Sequence, residues 1–240
     1  ASVTQANQTA GFSIVTFTAS NDSGFNTDKV AHGLSQAPEW FFFKRLDSTS
    51  DWIVYHTSAY SSNQHALVLN SSAAEATFNT ELNPSMFPAR PTSSVFSYVS
   101  GSAVTKGSNQ VAYCWHSVPG FSKIGSYVGS GTETYIGGPR ILLDFTPAWV
   151  LIKRIDANQG WLLFDNVRNQ FNPRKTFINV EANSSESESG GHQVNFLSNG
   201  FEIVNSDNNA TLNNSGSKHL YIAFADKPFL GDGKNPMTAV

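Results

Sequence analysis

Hydrophobic and polar positions in this chain alternate over short segments and do not follow the 3.6-residue period of a helix. Residues 12–18 are rich in β-branched and aromatic types, and residues 52–56 alternate between two faces. Residues 39–46 are so continuously apolar that both faces of a strand must be covered. Turn-forming residues separate such segments at roughly the 8–12-residue spacing of sandwiches and barrels. The pattern predicts an all-β, antiparallel, jelly-roll-like sandwich, with short helical turns only at residues 72–78 and 166–171.

This pattern occurs twice along the chain. Residues 36–47 align without a gap on residues 145–156, so that Trp149 follows Trp40 by 109 positions, and Pro, Lys, Arg and Asp also recur in place. Such a repeat is domain-sized, well beyond the roughly 20–50-residue periods of solenoids and propeller blades. The sequence therefore predicts an internal duplication. Its expected parts are a linker (1–10), a first β repeat (11–119), a second β repeat (120–229) and a C-terminal tail (230–240).

Matched positions in the two halves separate expected framework residues from expected contact residues. Four tryptophans recur between the halves and are expected in the core: Trp40, Trp52, Trp149 and Trp161. Aromatic residues without a counterpart are better candidates for recognition, because Tyr and other aromatics suit both carbohydrate and protein contacts. The candidate binding residues are Tyr60, Phe87, Tyr98 and Tyr135. The loops at 79–91 and 184–192 are expected at partner surfaces.

Charge narrows the classes of partner. Charged residues make up 14% of the chain, well below the roughly 25% of an average domain, and the net charge is -3. No basic face is available to release counterions from nucleic acid, so nucleic-acid binding is not expected.

Apolar runs are far shorter than the roughly 20 residues that cross a bilayer, so no membrane insertion is expected. The lone Cys114 lies in an apolar run and is predicted to be a buried, inert thiol.

Residues with catalytic potential stand in patterns better explained by structure. Asp144, Asp156 and Asp165 each adjoin a turn, where Asp commonly bonds the backbone. The histidines lack metal-ligand spacing, and no nucleophile elbow is present. The sequence predicts no catalytic residue, no resident metal, no cofactor and no enzyme activity. A loop Ca²⁺ site around Asp207 stays open, although turn chemistry is favoured there. The Lys-Arg pairs before Asp47 and Asp156 predict structural ion pairs.

Several strings resemble a β domain found in bacteriophage virion proteins. Residues 32–44 carry its H-G-L-x-x-x-P-x-x-x-x-x-K pattern, and residues 145–154 carry its F-x-P-A-x-x-x-x-K-R pattern. Further similar strings extend the resemblance from about residue 11 to residue 228. The family's function is uncharacterised, so it supplies no catalytic residues. It occurs in tail-fibre-like and other exposed parts of the particle.

The resemblance implies a virion structural or adhesion protein at the particle surface, such as a tail fibre, spike or capsid decoration. Its implied partners are other virion proteins and a host-surface glycan or receptor, and it is expected to form a homo-oligomer, a trimer if it is a fibre. Two alternatives stay open. One is a stand-alone, lectin-like carbohydrate-binding module, and the other is a glycan hydrolase.

Overall fold

The computed structural model describes residues 2–20, 27–59, 65–77, 86–99, 104–131, 138–204 and 210–227. The chain divides into two compact units, Ala1–His116 and Ser117–Val240. This division falls three residues before the predicted boundary between the repeats. Strands and turns account for the regular structure of the described residues, none of which is helical, and all strand pairs are antiparallel.

Unit 1 contains a large and a small sheet. Its strands are β1 (Ser2–Asn7), β2 (Phe12–Thr18), β3 (Thr27–Ala31), β4 (Trp40–Arg45), β5 (Ile53–His56), β6 (His65–Val68), β7 (Ala76–Thr77), β8 (Val95–Val99) and β9 (Asn109–Trp115). The large sheet has the order β1-β2-β9-β4-β5-β6-β7, and β3 pairs with β8 in the small one. Strand β2, near the start of the unit, thus pairs with β9 at its end, and β1 pairs with β2.

The core of unit 1 lies between these two sheets. Along β2 the side chains alternate, so Val15 and Phe17 are buried while Ile14, Thr16 and Thr18 are exposed. They pack with Phe41 and Phe43 of β4 and with Phe96 of β8 in one hydrophobic cluster. An apolar face on each sheet accounts for the sandwich, because neither sheet could bury its face alone.

Unit 2 repeats this arrangement. Its strands are β10 (Ser122–Val128), β11 (Arg140–Leu142), β12 (Pro147–Arg154), β13 (Trp161–Asp165), β14 (Thr176–Asn179), β15 (Ser187–Glu188), β16 (Val194–Leu197), β17 (Gly200–Ile203) and β18 (Lys218–Ala225). The large sheet has the order β10-β18-β12-β13-β14-β15 and the small one β11-β17-β16. Both contribute to a second core that includes Val150, Phe164 and Phe201.

Strand order and register confirm the duplication inferred from the sequence. Order β2-β9-β4-β5-β6-β7 in unit 1 corresponds to β10-β18-β12-β13-β14-β15 in unit 2. Trp40 lies opposite Trp115 across β4 and β9, and their counterparts Trp149 and Phe224 lie opposite each other across β12 and β18. The spacing of 110 between Phe17 and Tyr127 also holds, since they face the matched residues Gln110 and His219.

The Lys-Arg-x-Asp strings form the same corner in both units, as predicted. Arg45 pairs with Asp47 after β4, and Arg154 pairs with Asp156 after β12 at 2.5 Å. The preceding lysines each donate a hydrogen bond to a backbone carbonyl beyond the corner and lie against a tryptophan ring: Lys44 to Ser50 and Trp52, and Lys153 to Gln159 and Trp161. These charges therefore hold the corner.

Three expectations need correction. The predicted linker contains β1, which pairs along its whole length with β2. The segments predicted as helical turns are not helical where described. At 166–171 the Asp165 carboxylate accepts the Val167 and Arg168 N–H groups and closes a non-helical turn. Trp40 and Trp161 are buried, as expected, but Trp52 and Trp149 are only partly buried. All four lie outside the two inter-sheet clusters, because alternation turns neighbours such as Phe41 and Val150 inward.

Candidate binding surfaces

Two of the four aromatic residues predicted to bind a partner are core residues. Phe87 is fully buried, with its ring centroid 5.1 Å from that of Phe41. Tyr98 is also buried and donates a hydrogen bond of 2.8 Å to Asp28, and burial together with that carboxylate raises the pKa of its hydroxyl. Neither side chain is available at a surface, so neither is retained as a candidate. Tyr60 and Tyr135 lie outside the described residues.

A groove in unit 1 offers a different candidate site. It encloses about 390 Å³ and is lined by Val3, Thr16, Phe17, Thr18, Leu46, Asp47, Asn109 and Gln110. Strand β1 supplies one wall, and the corner after β4 supplies another. Val3 and Leu46 are 74% and 58% exposed, so the groove combines accessible apolar walls with polar side chains. Sequence reasoning missed it because most of its residues are small and polar.

Hydrogen bonds fix the polar groups of this groove. Thr18 donates to the side-chain oxygen of Asn109 at 2.9 Å, which fixes the amide's orientation and leaves its NH₂ group as a donor. Asp47 accepts hydrogen bonds from the Arg45 guanidinium and from the Asn109 backbone N–H. These two bonds, the first above all, hold the pKa of Asp47 below its usual range. At neutral pH the groove thus presents a fixed carboxylate acceptor beside amide and hydroxyl groups.

The matched position in unit 2 has different chemistry. Val128 stands where unit 1 has Thr18, and Lys218 stands where unit 1 has Asn109. Strand β1 has no counterpart in the described part of unit 2, where β10 is the terminal strand of its sheet. The two units therefore share a framework, but the groove belongs to unit 1.

The turn between β13 and β14 is a second exposed apolar feature. Val167 and Phe171 are 78% and 83% exposed. Their loop is held by the Asp165 turn, and by Asn169, which accepts the Lys175 and Thr176 N–H groups. This exposure was not predicted from the sequence, because apolar residues in a segment expected to be helical are ordinarily assigned to its buried side.

The three aspartates considered for catalysis have structural partners. Asp156 and Asp165 pair with arginines, and Asp144 lies 3.4 Å from Lys123. Burial raises the pKa of Asp156, but hydrogen bonds from Arg154 and Ser217 outweigh it, so the pKa lies below its usual value. The pKa of Asp165 is lowered in the same way, with burial outweighed by its bonds to the backbone and guanidinium of Arg168.

Buried histidines and the cysteine also have defined surroundings. Burial raises the pKa of the Cys114 thiol to about 12, as expected of an inert core residue. His32 is fully buried; its Nδ1 accepts the Leu34 N–H at 3.1 Å, and its Nε2 lies 3.0 Å from the Thr92 carbonyl. Within the described ranges no three His, Cys, Asp or Glu side chains form a group able to hold a metal ion. The Asp207 loop lies outside those ranges.

Comparison with known proteins places both units in a single family. The family's sequence model, described as "Domain of unknown function (DUF7483)", matches residues 1–228. The chain belongs to this family. No curated protein and no solved structure matches this chain.

One family model covers both units and strand β1, so the duplicated pair is the unit that the family shares. Among the described residues, no helix is long and apolar enough to cross a membrane.

Proposed function

We propose that this chain is a bacteriophage virion protein that acts by contact at the particle surface, as a tail fibre, spike or capsid decoration. It contacts other virion proteins, and the groove of unit 1 takes a host-surface glycan. The resemblance of residues 32–44 and 145–154 to virion β domains motivates the assignment to a particle.

The observation that carries the proposal is a repeated framework with unlike surfaces. Both units keep the same strand order, register and corner ion pairs. The exposed positions differ, since Thr18 and Asn109 line a groove where unit 2 has Val128 and Lys218. A stable scaffold that presents different surfaces suits binding, because rigid elements hold contact residues in place.

The groups in the groove match a hydroxyl-rich sugar. Asp47 accepts hydrogen bonds, the Asn109 amide donates them, the Thr16 hydroxyl can do both, and the Thr18 hydroxyl, which donates to Asn109, can accept. Val3 and Leu46 supply apolar surface for the carbon-bound face of a sugar ring. Ligand sites commonly combine such apolar walls with a few fixed polar groups.

Exchanging groove residues for those of unit 2 tests this site. The double variant Thr18→Val, Asn109→Lys introduces the residues that the same framework already carries at Val128 and Lys218. Purified protein is titrated against host cells and against isolated envelope polysaccharide. We expect the double variant to lose binding at least tenfold with an unchanged thermal midpoint, while Val128→Thr binds like the parent. Equal binding by the double variant and the parent would exclude the groove.

The same incubations separate binding from turnover. We expect polysaccharide to be retained without release of reducing ends, and purified virion components to be bound as well. Sustained cleavage abolished by Asp156→Asn or Asp165→Asn would favour a glycan hydrolase. Polysaccharide binding without any binding to virion components would favour a stand-alone lectin-like module.

The proposal includes a homo-oligomer, a trimer if the protein is a fibre. Virion surface parts act in repeated copies, and simultaneous engagement of several weak sites raises the overall affinity without new contacts. Closed cyclic symmetry is the usual arrangement of such assemblies.

A further inference from the structure

The duplicated large sheets differ at one edge. In unit 1, β1 pairs with β2 and ends the sheet. In unit 2 the matched strand β10 pairs with β18 and is itself terminal among the described strands. A strand position that unit 1 fills is therefore unfilled on β10 in the described part of unit 2.

Hydrogen bonds show which residues of β10 point toward this edge. Ser122 exchanges backbone bonds with Val118, and the Ile124 N–H donates to the Ser117 hydroxyl at 3.0 Å. The segment just before β10 thus covers the start of the edge. Because alternate residues of a strand point their backbone groups to the same side, Ser126 and Val128 also face this edge.

Unit 1 shows which kind of strand pairs at the edge that corresponds to that of β10. Thr16 corresponds to Ser126 and lies opposite Val3 of β1, while Ile14 corresponds to Ile124 and lies opposite Gln5. The neighbouring strand is antiparallel, and every residue of β1 is exposed. An extended, uncharged segment such as Ser2–Asn7 therefore meets the requirements of this edge.

Beyond Lys123, which lies 3.4 Å from Asp144, β10 lacks the features that keep open edges apart. Proteins commonly protect an edge with charged residues, proline or bulges. Residues 124–128 read Ile-Gly-Ser-Tyr-Val, without charge or proline, and they pair with β18 in unbroken register. Val128 is 59% exposed.

We propose that the β10 edge at residues 124–128 pairs with strand β1 of a second copy of this chain. Among the described strands β1 is also terminal in its sheet, so each copy carries an open β1 edge and an open β10 edge. Pairing of β1 in one copy with β10 in the next occupies both edges. Such a contact joins unlike surfaces and closes into a ring, such as a trimer, when the rotation between copies allows. The inference rests on the homo-oligomer included in the proposed function.

Proline substitutions test both edges, because proline removes a backbone donor yet is tolerated where that donor faces solvent. Ser126→Pro alters the β10 edge, and Ala6→Pro alters the outer edge of β1, since Asn7, Gln5 and Val3 face β2. The matched control is Thr16→Pro, which removes the N–H that faces β1 within the same chain. Sedimentation over a concentration series gives the mass, and thermal unfolding monitors folding.

We expect the parent to sediment as a multiple of the 26.0 kDa chain. Ser126→Pro and Ala6→Pro should each reduce this to one chain without a change in thermal midpoint, whereas Thr16→Pro should lower the midpoint. A monomeric parent at every concentration, or an oligomer that survives Ser126→Pro, would overturn the proposal. A lower midpoint in Ser126→Pro would also overturn it, because the edge would then be paired within the chain. Dissociation by Ser126→Pro but not by Ala6→Pro would rule out β1 as the occupant.

Glycan binding separates this proposal from the proposed function. A monomeric parent that still binds polysaccharide contradicts the edge contact and the homo-oligomer, but leaves the contact function of the groove intact. An oligomeric parent that binds neither polysaccharide nor virion components contradicts only the proposed function.

Discussion

His219 shows how one residue can make this fold sensitive to acid. It is fully buried in unit 2, where its ring stacks on Tyr127 at 4.7 Å and its Nδ1 lies 3.1 Å from the Ser217 carbonyl. Burial, reinforced by the nearby charge of Arg154, lowers its pKa from 6.5 to about 4, against the smaller raising effects of backbone carbonyls and of Asp156. The matched residue in unit 1 is Gln110, which does not titrate.

We predict that His219→Gln reduces the loss of stability in acid. Between pH 6.5 and pH 4 the unfolded chain binds a proton at this histidine and the folded chain does not, so the free energy of unfolding falls as the pH falls. The loss from this residue is on the order of 3 kcal/mol. Urea unfolding of the parent and the variant across this range measures the difference. The reciprocal Gln110→His should add acid sensitivity, and equal pH slopes in all three proteins would contradict the prediction.

Phe87 illustrates why aromatic residues without a counterpart were poor candidates for contact. Its ring packs edge-on against Phe41 and Tyr55, so the position belongs to the core of unit 1. We predict that Phe87→Ala lowers the free energy of unfolding by roughly 3–5 kcal/mol through cavity formation. Denaturant titration gives the change. An unchanged midpoint with lost polysaccharide binding would restore Phe87 as a contact residue.

At the scale of the element, features encoded by the matched blocks were predicted from the sequence, and features outside those blocks were missed. The matched blocks predicted the duplicated framework and the corner ion pairs, because those residues must satisfy the same contacts twice. Strand β1 has no matched strand among the described strands of unit 2. It is exposed along its length, so it shows no apolar periodicity and resembled a linker. The groove depends on β1 and on the side chains at Thr18 and Asn109, so its presence follows from pairing between distant segments.

The turns before β9 and β18 provide a test of the repeated elements. Gly107 and Gly216 have φ values of 78° and 74°, and a Cβ atom at either would meet nothing within 4 Å. Their N–H groups donate to the matched carbonyls of Ala19 and Gly129. Substitution by alanine therefore adds backbone strain without a clash. We predict that Gly107→Ala and Gly216→Ala each cost about 1–2 kcal/mol. Chemical denaturation should show similar losses, and a loss confined to one variant would show that the turns are not equivalent.

At the scale of the whole molecule, each unit has a core of its own. The hydrophobic cluster of unit 1 contains only residues before His116, and that of unit 2 only residues after Ser117. Phe87 and Phe201 are fully buried in the respective clusters. Because each cluster joins the two sheets of a single unit, loss of packing should open that unit first.

Hydrogen exchange on matched variants tests this independence. We predict that Phe87→Ala raises amide exchange in β4, β5 and β9 while β12 and β18 stay as protected as in the parent. Phe201→Ala should do the reverse. The reason is that a cavity weakens the contacts around it, and each cluster consists of residues of its own unit. Exchange that rises equally in all these strands in both variants would show that the two units unfold as one cooperative block, in which case the duplicated halves share a single stability.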